Sequence, residues 1–168
     1  DKLIFITTEE DPSLPARVLD LDGPESRTQL WNKSKLAWMH MYREYLHAAD
    51  WFVKADDDTY LSMNNLHDFL SVFDPLNRHM FGRIFHLGGR PARTYVSGGS
   101  GIVLSRGALA ALGKAVNETN GTVWGPKLHG PEDLQTADTL KTLGITPGHT
   151  LDSNGRQLFL PLGPQYEW

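Results

Sequence analysis

Leu3 to Thr7 is a short, mostly apolar run between polar flanks, which predicts a strand. Glu9 to Pro24 breaks that pattern: it is acidic, holds three prolines and reads as a surface loop. From Thr28 to Ala49, Trp31, Trp38, Met41, Tyr42, Tyr45 and Ala49 recur at helical spacing, with Arg43, Glu44 and His47 off the stripe. Trp51 to Ala55 is a short apolar run that predicts a buried strand. Leu66, Phe69, Leu70 and Phe73 predict a second helix, stopped at Asp74-Pro75.

Further on, Met80 to Phe85 predicts a strand, and Tyr95 to Leu104 a strand interrupted by Ser97-Gly98-Gly99-Ser100-Gly101. Ser105 suits the cap of a helix running to about Val116. Glu118 to Gly130 reads as a loop. Pro131 fits the first position of a helix ending at Leu143, with Gly144 as its stop. Leu158 to Leu162 predicts a final strand. Strands alternating with helices point to the α/β class. No repeat or internal boundary divides the chain, so one domain over residues 1–168 is expected.

Composition narrows the chemistry. The net charge of −4 and the lack of a Lys/Arg run argue against a nucleic-acid partner. With no cysteine, a disulfide framework, a thiolate metal site and a Cys nucleophile are excluded. Sequons at Asn32, Asn117 and Asn120 hint at the secretory pathway, although sequons also arise by chance.

Three segments carry candidate chemistry. Asp56, Asp57 and Asp58 directly follow the apolar run at Trp51. Carboxylates behind a strand sit where open α/β sheets bind ligands. Like charges this close need a positive partner or full solvation. A hard divalent cation, Mg²⁺ or Mn²⁺, is the natural partner, because such ions take oxygen ligands and share them with phosphates. In an extended segment Asp56 and Asp58 would face one way and Asp57 the other. The bland alternative is a solvated acidic turn. In the second segment, Gly98, Gly99 and Gly101 remove side chains where backbone meets a ligand or takes positive φ, against a plain β-bulge or hairpin. In the third, Glu132 and Asp133 open a helix. The helix dipole alone accounts for them, but a first-turn acid facing a cleft also suits a general base. The seven histidines show no metalloprotease spacing, and no nucleophile elbow exists. Trp124, in a Gly-rich polar stretch, is the aromatic expected to face a ligand.

Taken together and in this order, "DWFVKADDDTY", "FGR", "YVSGGSGIVLS" and "EDLQTADTLKTLG" resemble the β1,3-glycosyltransferases related to core 1 β1,3-galactosyltransferase, with the fringe-type N-acetylglucosaminyltransferases as more distant relatives. "KLIFITTEED" and "DSNGRQLFLPLGP" extend the likeness along nearly the whole chain. The resemblance implies a GT-A (Rossmann-like) fold and inverting transfer of galactose from UDP-galactose to the 3-hydroxyl of N-acetylgalactosamine on a glycoprotein. It implies Mn²⁺ (or Mg²⁺), held by Asp56 and Asp58 of the D-x-D motif, with Asp58 the direct ligand. Asp57 would contact the nucleotide side, Gly98 and Gly99 would line the donor pocket, and Asp133 would be the base. It also implies a type II membrane protein of the Golgi whose anchor lies outside this chain, and it admits a homodimer.

The chain departs from that pattern in three ways. Members usually carry a C-terminal histidine that completes the metal site. Here Leu160 follows Phe159, no histidine follows His149, and Glu167 is the candidate substitute. The family's cysteines are absent. The strand that begins the UDP site is expected upstream of Asp1, which predicts an N-terminally truncated catalytic domain. Competing readings are a fringe-like UDP-N-acetylglucosamine transferase, a catalytically impaired chaperone or glycan-binding module, and a Ca²⁺-stabilised binding domain. The last uses the acidic triplet alone and leaves the other motifs unused.

Overall fold

A computed structural model of the chain describes residues 2–7, 12–13, 16–18, 26–88, 93–125 and 131–163. Strand β1 (Phe5–Thr7) pairs in parallel with β2 (Ala16–Val18). A 3₁₀ turn over Arg27–Gln29 leads into helix α1 (Leu30–Tyr45), which delivers the chain to β3 (Trp51–Lys54). Helix α2 (Met63–Leu70), β4 (Met80–Phe81), β5 (Ile84–Leu87) and β6 (Arg93–Val96) follow. After a 3₁₀ turn at Gly98–Ser100 come β7 (Ile102–Ser105), α3 (Arg106–Glu118) and α4 (Glu132–Thr142).

The central sheet has the order β3-β7-β4, with β7 antiparallel to both neighbours. Every residue of β7 is buried, as expected for a middle strand covered on both faces. The pleat sorts its side chains into two cores. Phe52, Met80, Ile102 and Leu104 face Trp38 of α1, Leu109 and Leu112 of α3, and Leu140 of α4. Val53, Phe81 and Val103 face the other way, against Leu70, Phe69 and Phe73 around α2 and Phe159 of the tail. The sheet is therefore a middle layer between three helices and a thinner aromatic cover.

Caps set several boundaries where the sequence put them. The Ser105 hydroxyl accepts the Ala108 N–H at 3.1 Å, which satisfies a free donor at the start of α3. It also accepts the His79 N–H at 2.9 Å and donates to the Asn77 carbonyl at 2.6 Å, tying β4 to the cap. Pro131 precedes α4, and Gly144, at φ 73°, follows it.

Other boundaries differ. The region read as a loop from Glu9 to Pro24 contains β2, and its flanks lie outside the described residues. β2 has too few residues to show a period; its parallel partner β1 supplies its ladder. The single strand expected at Met80 to Phe85 is broken at Gly82 into β4 and β5. Leu158 to Leu162 forms no strand: Leu158, Leu160 and Leu162 are exposed, and only Phe159 turns inward. The content is α/β as expected, but the central sheet is antiparallel, and β1-β2 is the one parallel ladder among the described strands. No helix among the described residues is long and apolar enough to cross a membrane.

Candidate functional site

Register decides where the candidate residues meet. Lys54, the last residue of β3, pairs with Ile102, the first residue of β7. Antiparallel pairing thus sets the segment leaving β3, Asp56 to Asp58, beside the segment entering β7, Gly98 to Gly101. The N-terminus of α4 brings Glu132 and Asp133 to the same edge, where the Lys54 ammonium lies 3.0 Å from Glu132 Oε1 and 3.2 Å from Asp56 Oδ1.

The acidic triplet is exposed and turned rather than extended. Asp57 and Asp58 occupy a turn that the Thr59 N–H closes onto the Asp56 carbonyl at 3.1 Å. The strand alternation expected to put Asp56 and Asp58 on one face therefore does not apply. All three acids are exposed, so water screens their mutual repulsion. Lys54 holds Asp56, whereas no hydrogen bond or ion pair among the described residues engages the carboxylates of Asp57 and Asp58. Thr59 Oγ1 donates to the Gly99 carbonyl at 3.4 Å and joins this turn to the glycine segment.

The glycine turn is tightly built. The Gly101 N–H bonds the Gly98 carbonyl at 2.9 Å, and Gly101 has φ 78°, a conformation that L side chains rarely take. The buried Ser100 hydroxyl donates to the Ser97 carbonyl at 2.9 Å and accepts the Arg83 N–H at 3.0 Å. Gly98 is buried because α4 sits on it: a Cβ there would lie 2.7 Å from Glu132 Oε1. Its N–H points at Asp133 Oδ2, 3.4 Å away.

The two acids of α4 have separate fates. The Glu132 side chain is 11% exposed and spoken for on both oxygens, by Lys54 on Oε1 and by the Ser34 hydroxyl on Oε2 at 2.9 Å. Helix-dipole stabilisation alone is thus an incomplete account of Glu132. Asp133 has neighbouring N–H groups, from Leu134 at 2.8 Å and from Gly98, but no cationic partner among the described residues. Glu132 is thus saturated by its own partners, whereas Asp133 is approached by N–H groups alone. Burial pulls the Lys54 pKa down, yet the charges and hydrogen bonds of Glu132 and Asp56 outweigh it and raise the value above that of free lysine. Burial, and then the Asp133 charge, raise the Tyr95 hydroxyl pKa, which puts Tyr95 within the field of that acid.

The sequence reading passed over Lys54, Ser34, Thr59 and Tyr95. Lys54 had a signal: a charge in the apolar strand "WFVKA" needs a buried partner. Trp124 is corrected. It is half-buried rather than exposed: it packs edge-on against the buried Trp31, ring centroids 5.4 Å apart, at the margin of the larger core. Among the described residues no three His, Asp or Glu side chains converge as a ready-made metal cage. The donor chemistry still suits a hard cation, since such ions settle for one or two carboxylates and complete their shell with substrate phosphates and water. Glu167 lies outside the described residues.

Residues 4–152 match the family described as Fringe-like. The chain belongs to the Fringe-like family, a group of β-1,3-glycosyltransferases. It is 32% identical, over 97% of its length, to a glycoprotein-N-acetylgalactosamine 3-beta-galactosyltransferase 1 of Xenopus laevis and covers 43% of that protein. It is 26% identical, over 98% of its length, to an N-acetyllactosaminide beta-1,3-N-acetylglucosaminyltransferase 4 of Mus musculus and covers 53% of it. A chondroitin sulfate synthase 3 of the same organism is 26% identical over 68% of this chain. The chain thus spans about half or less of the length of these relatives. Every segment that builds the acidic edge, from Ser34 to Asp133, falls inside the Fringe-like match.

Proposed function

We propose that the chain forms the catalytic core, with a GT-A fold, of a UDP-galactose-dependent β-1,3-galactosyltransferase acting on O-linked N-acetylgalactosamine of glycoproteins. One observation carries the reading: the exposed acids after β3 and Asp133 of α4, which has no cationic partner among the described residues, meet at one edge, with the glycine-rich turn between them. The Xenopus relative's name supports galactose as donor sugar and N-acetylgalactosamine as acceptor.

The division of labour follows from exposure. Asp56 and Asp58, in an open turn, would hold Mn²⁺ or Mg²⁺. The bound cation supplies charge neutralisation for the departing diphosphate. Gly98 and Gly99 present backbone to the donor, with Asp57 on the nucleotide side. Asp133 takes the proton of the acceptor 3-hydroxyl as its oxygen attacks the anomeric carbon. The sugar–phosphate bond breaks on the opposite side, UDP leaves with the electron pair, and the configuration inverts. The same reading carries Golgi residence with an anchor outside this chain. The exposed positions of Asn117, at the end of α3, and Asn120 suit N-glycosylation in that lumen, whereas Asn32, half-buried and donating to Gln29 Oε1 at 2.7 Å, suits it poorly.

One observation keeps an alternative in the test. The match to an N-acetylglucosaminyltransferase favours UDP-N-acetylglucosamine as a second donor candidate. Calorimetry of UDP-galactose and UDP-N-acetylglucosamine with the chain and with Asp58→Ala, each with and without Mn²⁺, decides. Mn²⁺-dependent binding of UDP-galactose that Asp58→Ala abolishes supports the proposal. Preference for the other sugar moves the donor, and binding indifferent to Mn²⁺ overturns the metal-assisted reading.

A further inference from the structure

Lys54 is the single charge in a strand whose other members are Trp51, Phe52 and Val53. An ammonium in such a place is costly unless paired. It is paired twice, and its partners lie on different elements. Glu132 opens α4, and Asp56 opens the acidic turn after β3. Glu132 in turn receives the Ser34 hydroxyl of α1, so one cation ties together β3, α4 and α1. Exposure falls along the chain of contacts, from 46% for the Asp56 side chain through 21% for Lys54 to 11% for Glu132. The inner end is the fixed one.

That inner end sits over the glycine turn. Glu132 Oε1, the atom that Lys54 grips, fills the space where a Gly98 Cβ would stand. The next residue is Asp133, whose Oδ2 faces the Gly98 N–H. A shift of Glu132 therefore carries Asp133 with it and opens the gap above Gly98.

We propose that Lys54 is a positioning residue for the transfer reaction, holding Glu132 over Gly98 so that Asp133 meets the donor turn in one fixed setting. The inference rests on the galactosyltransferase reading for its consequence in catalysis, but its structural half stands apart from activity. Lys54 touches neither donor nor acceptor in this role. It acts through Glu132.

The test compares the chain with Lys54→Met, Lys54→Arg and the double variant Lys54→Met/Glu132→Gln. The kinetic arm measures transfer. Lys54→Met should lower kcat about 10²-fold, the loss expected from misplacing a reacting group by about 1 Å, with the donor KM within about threefold. Lys54→Arg, which keeps a cation able to span both carboxylates, should recover most of kcat. The double variant, which leaves no unpaired buried charge, should regain stability but not kcat. The second arm reads amide hydrogen exchange, whatever the activity. In Lys54→Met the amides of Gly101 and Gln135 should exchange about tenfold faster, with those of α3 unchanged. Unchanged exchange at Gly101 and Gln135 overturns the proposal. So does a kcat loss that Lys54→Arg fails to restore, or one accompanied by an equal rise in KM. If the wild-type chain shows no transfer, the transferase reading fails, and the exchange arm still decides whether Lys54 sets this turn.

Discussion

The two acidic corners of the site are built on opposite plans. Asp56 to Asp58 lies in an open turn, and two of its carboxylates have no partner among the described residues. Glu132 is closed in, with an ammonium on one oxygen and a hydroxyl on the other. Charge left in water costs little and stays available to a ligand, whereas charge taken out of water must be matched and then becomes part of the frame. Asp133 stands between these cases. It is partly buried like the frame but, like the open turn, lacks a cationic partner among the described residues.

Exchanging members of the two plans should give unlike failures. The largest effect is expected from Asp133→Asn, which keeps the shape and removes the proton acceptor. Transfer should fall about 10²–10⁴-fold while donor binding and the unfolding midpoint hold, as checked by kinetics beside calorimetry. Loss of donor binding in that variant would undo the assignment. Glu132→Ala should fail by the other route. Stripping Lys54 of its closer partner in a mostly buried place should cost about 2–4 kcal/mol in denaturant unfolding. Wild-type stability after that change would mean the pair is only a surface contact.

A smaller effect comes with pH. The folded fold holds Lys54 charged above its ordinary value, so this contribution is complete below about pH 10.4 and is lost as pH rises through the higher folded value. Tyr95, raised toward its neutral form, loses stability in the same direction above about pH 10. Unfolding midpoints from pH 8 upward should therefore decline in that alkaline range, and less steeply in Lys54→Met/Glu132→Gln. The smallest effect sharpens the contrast. Asp58→Ala should move stability by no more than about 0.5 kcal/mol, because its carboxylate supports nothing in the fold. A large destabilisation would show that the acidic turn is structural after all.

What the sequence revealed tracks what kind of interaction each feature depends on. The Ser105 cap, the Pro131 start and the Gly144 stop were legible because one residue and its own backbone decide them. The apolar run at Trp51 was legible as a strand because β7 and the cores bury it. β2 was not, since its partner strand rather than its own pattern holds it. Leu158 to Leu162 misled because apolar residues were counted without their direction; Phe159, against Phe69 at 5.8 Å between centroids, anchors an otherwise exposed tail. At the site, Asp56 to Asp58, Gly98 and Asp133 could be named one by one. Their meeting at one edge needed the Lys54–Ile102 register, and the buried pairing of Glu132 needed partners 78 and 98 residues away in the chain.

The contact between Gly98 and Glu132 has a consequence for how this sequence can drift. An alanine at position 98 would put its methyl group 2.7 Å from Glu132 Oε1. Each residue therefore sets the permissible size of the other. Glu132→Asp, one methylene shorter, opens the room that Gly98→Ala needs, but withdraws the carboxylate from Lys54 and Ser34. The oxygen in the way is the tip of a flexible side chain, so a methyl group at position 98 fits only as far as Lys54 and Ser34 let that tip move.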